Sequence, residues 1–284
     1  MAARPPARHG RFSMSQARAW AIAVAASLAL GSASAREARA ECAPPASLRF
    51  EIADTIRRDK LGLTQGLEFR DGKLYESTGR IDGTTQVNVI DLQGRVTTLV
   101  ELGTKVFGEG LTILDDEIVQ LTWQEHLVFV YDLSGRLKRT MHNPRLGWGL
   151  SNDGRQLLFS DGAGAIYFAD PKTFAIARSV PVRSVEREGV PGLNELEMVD
   201  GRLYGNIFQT RQIVRLDPSS GCIEATADLS PLWAAMDEPE RRRIDGNLQY
   251  VLNGIAYDPR TQLFYLTGKR WRYIFAGRFV PATR

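Results

Sequence analysis

The chain has 284 residues, of which 43% are hydrophobic and 24% are charged, so it is long enough to bury a substantial core as one large domain or two small ones. This composition excludes disordered and fibrous proteins. Residues 1–40 contain six arginines and one glutamate, and the rest of the chain has 30 basic and 32 acidic residues, so we expect no basic face for nucleic acid.

The N-terminal segment, residues 1–40, has the features of a secretory signal peptide. Arginines precede an apolar run at 19–30, and two Ala-x-Ala cleavage sites end at Ala35 and Ala40. The apolar run is too short for a membrane-spanning helix and is followed by small residues. We therefore expect cleavage after Ala35 or Ala40, export to the periplasm or the cell exterior, and no stable membrane insertion of the mature chain.

The mature chain contains two cysteines, Cys42 and Cys222. An exported protein can form a disulfide, and this pair would join the mature N-terminus to the body of the protein. Two cysteines so far apart in sequence could equally stay free, so the sequence leaves both alternatives open. Glu41, directly before Cys42, argues against a lipoprotein cleavage site and therefore against a lipid anchor.

A short frame recurs five times in the mature chain. It consists of a polar or aromatic residue, then Gly or once Glu, then an apolar residue, at positions 65–67, 109–111, 148–150, 194–196 and 253–255. Its first residues are Gln65, Glu109, Trp148, Asn194 and Asn253. Alternating apolar and polar segments separated by Gly turns follow the frames, and this pattern predicts short antiparallel strands.

The spacing of the frames predicts the fold. The Gly or Glu positions lie 44, 39, 46 and 59 residues apart, near the length of a four-stranded propeller blade. We therefore predict an all-β, five-bladed β-propeller that occupies residues 41–284 as a single domain. The last repeat lacks an outer strand, which the alternating segment at 47–56 is predicted to supply. Residues 232–244 lack alternation and predict a short helical insertion.

The predicted propeller gathers a set of functional side chains. The first strand of each blade lines the central channel, so the first residues of the five frames would converge at one mouth. Neighbouring strands add Trp123, Phe208 and Lys269. One carboxylate, one ammonium group, several amides and an aromatic wall suit general acid–base chemistry on a small polar group. Glu109 is the only acid at the repeated position and is the candidate for proton transfer.

Nine segments in order resemble the motifs of the plant-type and bacterial glutaminyl-peptide cyclotransferases. Each motif alone is weak, but together they cover essentially the whole mature chain from about residue 50. The motifs lie at 64–69, 75–79, 107–112, 120–123, 147–150, 160–162, 193–197, 253–257 and 267–271.

The resemblance implies a five-bladed propeller enzyme that converts N-terminal glutamine of peptides or proteins to pyroglutamate and releases ammonia. It implies that Glu109 is the acid–base catalyst and that Lys269 and Asn194 polarise or orient the substrate. The substrate-binding residues that it implies are Gln65, Phe107, Trp123, Trp148 and Phe208.

Two positions depart from the pattern of this family. Leu63 stands where an aromatic residue is more frequent, and Phe208 stands where tryptophan is usual. Both changes would soften the aromatic pocket without removing a charged or proton-carrying group. We therefore expect them to affect substrate affinity more than the chemistry.

Two other functions fit a propeller: binding of peptides or proteins without catalysis, and metal-dependent hydrolysis of lactones. The hydrolase would need several convergent metal ligands, whereas the predicted channel has one clear carboxylate, and His126 and His142 show no ligand spacing. We expect no cofactor in catalysis, although calcium or zinc held structurally by loop carboxylates is compatible with the sequence. The expected partners are peptides or proteins with N-terminal glutamine, and the expected state is a monomer.

Overall fold

The computed structural model of the protein describes residues 41–80, 83–245, 247 and 249–282. The predicted signal peptide, residues 1–40, lies outside the described residues. Glu41–Arg284 group as one unit by their internal contacts. In the part of the chain that is described, no helix is both long enough and apolar enough to cross a membrane.

The described chain is built from β-strands and two short helices, which confirms the all-β prediction. Strand β1 is Ala46–Arg57. A first group of strands follows, with β2 (Thr64–Arg70), β3 (Lys73–Thr78), β4 (Gln86–Asp91) and β5 (Val96–Glu101). The second group is β6 (Gly108–Leu114), β7 (Glu117–Thr122), β8 (Leu127–Asp132) and β9 (Leu137–His142). The third is β10 (Leu150–Asn152), β11 (Leu157–Ser160), β12 (Ala165–Ala169) and β13 (Ile176–Pro181).

The C-terminal part continues the same pattern. The fourth group is β14 (Leu193–Val199), β15 (Arg202–Ile207), β16 (Gln212–Leu216) and β17 (Ile223–Asp228). Two helices then interrupt the strands, α1 (Ser230–Ala235) and α2 (Glu238–Asp245). The last group has three strands, β18 (Leu252–Asp258), β19 (Leu263–Gly268) and β20 (Tyr273–Pro281).

Asp-Gly turns join the first and second strands in three of the groups. Asp71 and Gly72 both have positive φ, as do Asp200 and Gly201, which is the geometry of two-residue hairpin turns. In the third of these turns, at 153–154, only Gly154 has positive φ. These turns keep the strands that they join antiparallel.

Strand β1 completes the last group, as predicted from the unpartnered segment at 47–56. It pairs antiparallel with β20, from Leu48 opposite Pro281 to Arg57 opposite Tyr273. It also pairs in parallel with β17, so the fourth and fifth groups share one eight-stranded sheet, in the order β14-β15-β16-β17-β1-β20-β19-β18. The first three groups are separate four-stranded sheets.

The five groups are arranged in a cycle. Each group's first strand contacts the first strand of the next group, from β2 to β6, β10, β14 and β18, and β18 contacts β2. A hydrophobic cluster lies between each pair of successive groups, as with Leu67, Leu74 and Tyr265 between the first and the fifth. The first strands therefore surround a common centre, and the apolar faces of the sheets are buried against one another.

The two helices form the predicted insertion between β17 and β18. Trp233 of α1 packs edge-on against Trp271, with ring centroids 4.6 Å apart. The Asp237 carboxylate accepts a hydrogen bond from the backbone N–H of Glu240 at 2.8 Å, which caps the start of α2. The Glu240 carboxylate in turn accepts from the backbone N–H of Arg272 at 2.6 Å. These contacts tie the insertion to the loop between β19 and β20.

Cys42 and Cys222 form a disulfide, with Cα atoms 5.4 Å apart. The sequence left this pairing open because the two residues are 180 positions apart. The bond joins the segment before β1 to the start of β17, next to the parallel pairing of the same two strands. The disulfide therefore holds β1 next to β17.

Candidate active site

Glycines near the start of three first strands allow the next first strand to come very close. A Cβ atom on Gly66 would lie 2.3 Å from a backbone nitrogen of β6, one on Gly110 2.4 Å from a backbone nitrogen of β10, and one on Gly149 1.9 Å from a backbone oxygen of β14. No side chain fits at such distances. The recurring glycine is therefore required where one first strand approaches the next.

A β-bulge interrupts four of the five first strands at the recurring frame. The register shifts in β2, β6, β14 and β18 within the frame residues. A bulge changes the direction in which side chains point. The residues inside these bulges include Gln65, Glu109, Asn194 and Asn253. The repeated sequence frame thus corresponds to a repeated backbone irregularity.

All eight residues predicted for the site line one pocket of about 410 Å³. Two further residues in its lining are Leu63, already noted as a departure from the family pattern, and Gln249. The predicted residues in the lining are Gln65, Phe107, Glu109, Trp123, Trp148, Asn194, Phe208 and Lys269.

Two features of the site differ from the sequence-based expectation. Gln249, in the segment after α2, was not predicted as a pocket residue. It lies outside the repeated strands, so its position could not be inferred from the repeat. Asn253 was expected at the channel mouth with the other frame residues, but it is fully buried and does not line the pocket. Its side chain lies behind two pocket residues, as described below.

Glu109 and Lys269 are the two charged residues in the pocket lining. They are 6% and 7% exposed, respectively. Burial raises the pKa of Glu109 to about 8, the attraction of Lys269 opposes this rise, and the nearby Glu125 carboxylate adds to it. Burial lowers the pKa of Lys269, and the attraction of Glu109 opposes that change. The carboxyl of Glu109 therefore titrates near neutral pH, where a proton-transfer group is most effective.

Four aromatic rings form the walls of the pocket in two pairs. The ring centroids of Phe107 and Trp123 are 5.8 Å apart, and those of Trp148 and Phe208 are 5.5 Å apart. Nζ of Lys269 lies 5.0 Å from the centroid of the Phe208 ring. The residue that replaces the usual tryptophan therefore still offers an aromatic face to the ammonium group.

Two glycines make room for these rings. A Cβ atom on Gly79 would lie 2.3 Å from the Phe107 ring, and one on Gly162 would lie 2.6 Å from the Trp148 ring. The Glu125 carboxylate accepts from the backbone N–H of Phe107 at 3.0 Å. The walls are thus held by close packing and by a backbone hydrogen bond, and Trp123 alone is substantially exposed, at 37%.

Three amide side chains are linked behind the pocket. Nδ2 of Asn194 donates to Oδ1 of Asn253 at 2.8 Å. Nδ2 of Asn253 donates to the backbone oxygen of Thr64 at 2.9 Å and, more weakly, to Oε1 of Gln65 at 3.4 Å. These bonds connect the starts of β2, β14 and β18. Two of the three amides, Gln65 and Asn194, line the pocket.

A fully buried ion pair holds the strand that carries Gln65. Nη1 and Nη2 of Arg58 donate to the two oxygens of Glu76 at 2.8 and 2.6 Å. The hydroxyl of Thr64 donates to the same carboxylate at 2.6 Å. A charged pair with this many hydrogen bonds is geometrically specific, and loss of one partner would leave the other buried and uncompensated. It fixes the start of β2 beside the pocket.

Three further carboxyl groups with raised pKa values, Glu68, Glu195 and Glu197, lie outside the pocket lining. Glu195 accepts from the backbone N–H groups of Leu67 at 3.0 Å and Ile255 at 2.8 Å, which ties β14 to β2 and β18. Burial raises the pKa values of Glu195 and Glu197 well above the usual range, and it raises that of Glu68 to about 7. Glu195, the one residue that replaces Gly in the repeated frame, therefore stabilises the contact of β14 with β2 and β18.

The described residues contain no group of three or more His, Cys, Asp or Glu side chains arranged to hold a metal ion. The rings of His126 and His142 are 5.9 Å apart, and neither lines the pocket. Nδ1 of His126 lies 2.9 Å from the backbone oxygen of Asn143. The two histidines therefore lie outside the pocket lining.

The chain was compared with known proteins. A family model described as glutamine cyclotransferase matches residues 23–279. A glutaminyl-peptide cyclotransferase of Arabidopsis thaliana is 35% identical over 230 residues, which is 80% of this chain and 70% of the relative. The crystal structure of Myxococcus xanthus glutaminyl cyclase matches with a TM-score of 0.72 and 30% identity, over 84% of this chain and 100% of that one. The protein therefore belongs to the glutamine cyclotransferase family.

Proposed function

We propose that this enzyme converts the N-terminal glutamine of peptides or proteins to pyroglutamate and releases ammonia, with Glu109 as the proton-transfer group. The observation that carries the proposal is a pocket lined by Glu109, Lys269 and four aromatic rings, in which the pKa of Glu109 is raised to about 8. Relatives with the name and the fold of glutaminyl cyclases support the reaction class.

The reaction needs one group that accepts a proton and returns it. The neutral α-amine attacks the side-chain amide carbon of its own residue, so a C–N bond forms and the ring closes. Glu109 takes a proton from the attacking nitrogen and delivers it to the amide nitrogen, whose bond to the carbon then breaks to release ammonia. A pKa of about 8 suits both steps near neutral pH.

The remaining pocket residues would position the substrate and stabilise charge. Lys269 and the indole N–H of Trp148 are donors for the negative charge that develops on the amide oxygen. Gln65 and Asn194 would orient the amide. Phe107, Trp123 and Phe208 would hold the curled side chain and exclude water, which favours the near-attack geometry of an intramolecular reaction.

We propose that the fold is a five-bladed β-propeller closed by β1. The cycle of contacts among the five first strands and the five antiparallel groups support this architecture. The pocket would then lie at one mouth of the central channel. A single propeller domain at 41–284 that acts as a monomer is part of the same proposal.

We also propose that the mature protein is exported after cleavage of the signal peptide at Ala35 or Ala40. The disulfide between Cys42 and Cys222 supports this location, because structural disulfides persist in oxidising compartments. Catalysis is proposed to need no cofactor, since Lys269 lines the same pocket as Glu109 and its positive charge disfavours binding of a metal cation there. Calcium or zinc at a structural site elsewhere stays open to test by metal analysis.

The direct test is mass spectrometry of a peptide with N-terminal glutamine, together with an ammonia assay. We expect loss of one ammonia with the parent protein. The Glu109→Gln variant retains size and hydrogen bonding but cannot carry the proton, so its turnover should fall roughly a hundredfold or more. Binding without turnover by the parent would instead indicate a peptide-binding protein, and near-parental turnover by the variant would move the catalytic role to another residue.

A further inference from the structure

We infer that Asn253, which lies behind the pocket, determines which atoms of Gln65 and Asn194 face the substrate and thereby selects a glutamine side chain over a glutamate side chain. This inference rests on the proposed cyclisation of glutamine. Asn253 is a positioning residue in this proposal, because it is fully buried and would act through the two amides that line the pocket.

The orientation of the Asn253 amide follows from its partners. The backbone oxygen of Thr64 can only accept a hydrogen bond, so the atom of Asn253 that lies 2.9 Å from it must be the NH2 group. The other end of the amide is then the carbonyl oxygen, which can only accept. The atom of Asn194 that lies 2.8 Å from this oxygen must therefore be its own NH2 group. One backbone carbonyl thus settles the orientation of both side chains.

The same logic applies to Gln65, at longer range. The NH2 group of Asn253 has a second hydrogen, which points to Oε1 of Gln65 at 3.4 Å. Gln65 therefore turns its oxygen towards Asn253 and leaves its NH2 group for the pocket. Asn194 turns its NH2 group towards Asn253 and leaves its oxygen for the pocket. The site presents one amide donor and one amide acceptor.

This donor–acceptor pair is complementary to a primary amide. The glutamine side chain has an oxygen that accepts from Gln65 and an NH2 group that donates to Asn194. The glutamate side chain has almost the same shape, but its ionised carboxylate has no hydrogen to donate to the Asn194 oxygen. Two hydrogen-bond acceptors would then lie opposite each other. A site built for a hydrogen-bond donor discriminates strongly against an analogue that lacks it.

The backbone around the three amides holds this arrangement in place. The Glu195 carboxylate accepts from Leu67, two residues after Gln65, and from Ile255, two residues after Asn253. Glu195 itself directly follows Asn194. The Glu195 carboxylate therefore joins the three segments that carry the amides, one or two residues beyond each amide. This connection keeps the amide side chains within hydrogen-bond distance of one another.

The test uses two isosteric peptides, one with N-terminal glutamine and one with N-terminal glutamate. Ammonia release gives kcat/KM for the first, and competition gives the inhibition constant of the second near neutral pH. In the Asn253→Ala variant, the amide of Asn194 is free to turn its NH2 group to the pocket. We expect kcat/KM for the glutamine peptide to fall roughly tenfold or more and the glutamate peptide to bind roughly tenfold more tightly.

Asn206 provides a matched control. It is also fully buried, and its amide accepts from the backbone N–H of Glu195 at 3.0 Å and donates to the backbone oxygen of Leu252 at 2.7 Å. Asn206→Ala removes two similar hydrogen bonds nearby, neither of which involves the side chain of Gln65 or Asn194. It should lower stability but leave the inhibition constant of the glutamate peptide unchanged.

Equal effects of the two variants on both peptides would overturn the inference and assign Asn253 to stability alone. If Asn253→Ala does not fold, Asn253→Leu serves in its place, because leucine keeps most of the side-chain volume but has no polar atom that could orient Asn194. Parent protein that binds the glutamate peptide as tightly as the glutamine peptide would also overturn it. Failure of the parent to release ammonia would instead count against the proposed function.

Discussion

The buried carboxyl of Glu109 should make the stability of the protein depend on pH. Its pKa in the folded protein is raised from 4.5 to about 8 by burial, so the folded state holds this proton more tightly than the unfolded chain does. The stability that this group contributes is fully present below about pH 4.5 and is lost as pH rises to about 8. Glu109→Gln has no proton to lose and should escape that decline.

The size of the effect follows from the two pKa values. Between 4.5 and about 8, at about 1.4 kcal/mol for each pH unit, the loss has an upper limit of about 5 kcal/mol. Local relaxation and water entry reduce the penalty in real proteins, so we expect about 2–3 kcal/mol. The Glu109→Gln variant should therefore gain this much in free energy of unfolding relative to the parent between pH 5 and pH 9.

The assay is denaturant unfolding of both proteins at several pH values with the disulfide intact. Glu68→Gln is the matched control, because burial raises the pKa of Glu68 to about 7 although it does not line the pocket. That variant should show a similar but smaller gain at high pH while retaining turnover. Stability profiles of the parent and Glu109→Gln that run parallel from pH 5 to pH 9 would refute the reasoning.

Three further outcomes follow from the same structure. Lys269→Met should lower kcat by about 10²–10³ with less change in KM, and unchanged kcat with a higher KM would instead assign Lys269 to peptide binding. Removal of residues 41–55 also removes the disulfide, so its control is Cys222→Ser. The shortened protein should be poorly soluble and melt at a lower temperature than this control, and equal melting temperatures would contradict the proposal that β1 closes the fold. Turnover should persist in a chelator, whereas a loss that a divalent cation restores would reveal a catalytic metal.

The pocket residues could be predicted from the sequence because they belong to a repeat. Glu109 and Asn194 occupy the same place in their groups, and a shared bulge directs both towards the common centre. A repeat therefore converts sequence spacing into spatial proximity. Of the four aromatic wall residues, only Phe107 was located through the motifs of the family that the chain resembles, because the other three were predicted from the repeat and its neighbouring strands.

Other parts of the site depend on geometry that spacing does not contain. Gln249 reaches the pocket from an insertion, whose path is determined by packing such as that of Trp233 against Trp271. Asn253 shares the repeat position, yet its bonds to Thr64 and Asn194 place it behind the pocket. Which member of a repeat lines a cavity is decided by side-chain partners, and these cannot be read from periodicity.

The pairing of β1 with β20 joins the first described strand to the last. Residues such as Phe50 and Phe279 face each other across 229 positions of chain. Synthesis delivers the N-terminal end first, so β1 has no antiparallel partner until nearly all of the chain has emerged. Contacts between such distant residues also form slowly. We expect closure to be the last event in folding, which leaves β1 exposed to chaperones and to other chains for longer than any other strand.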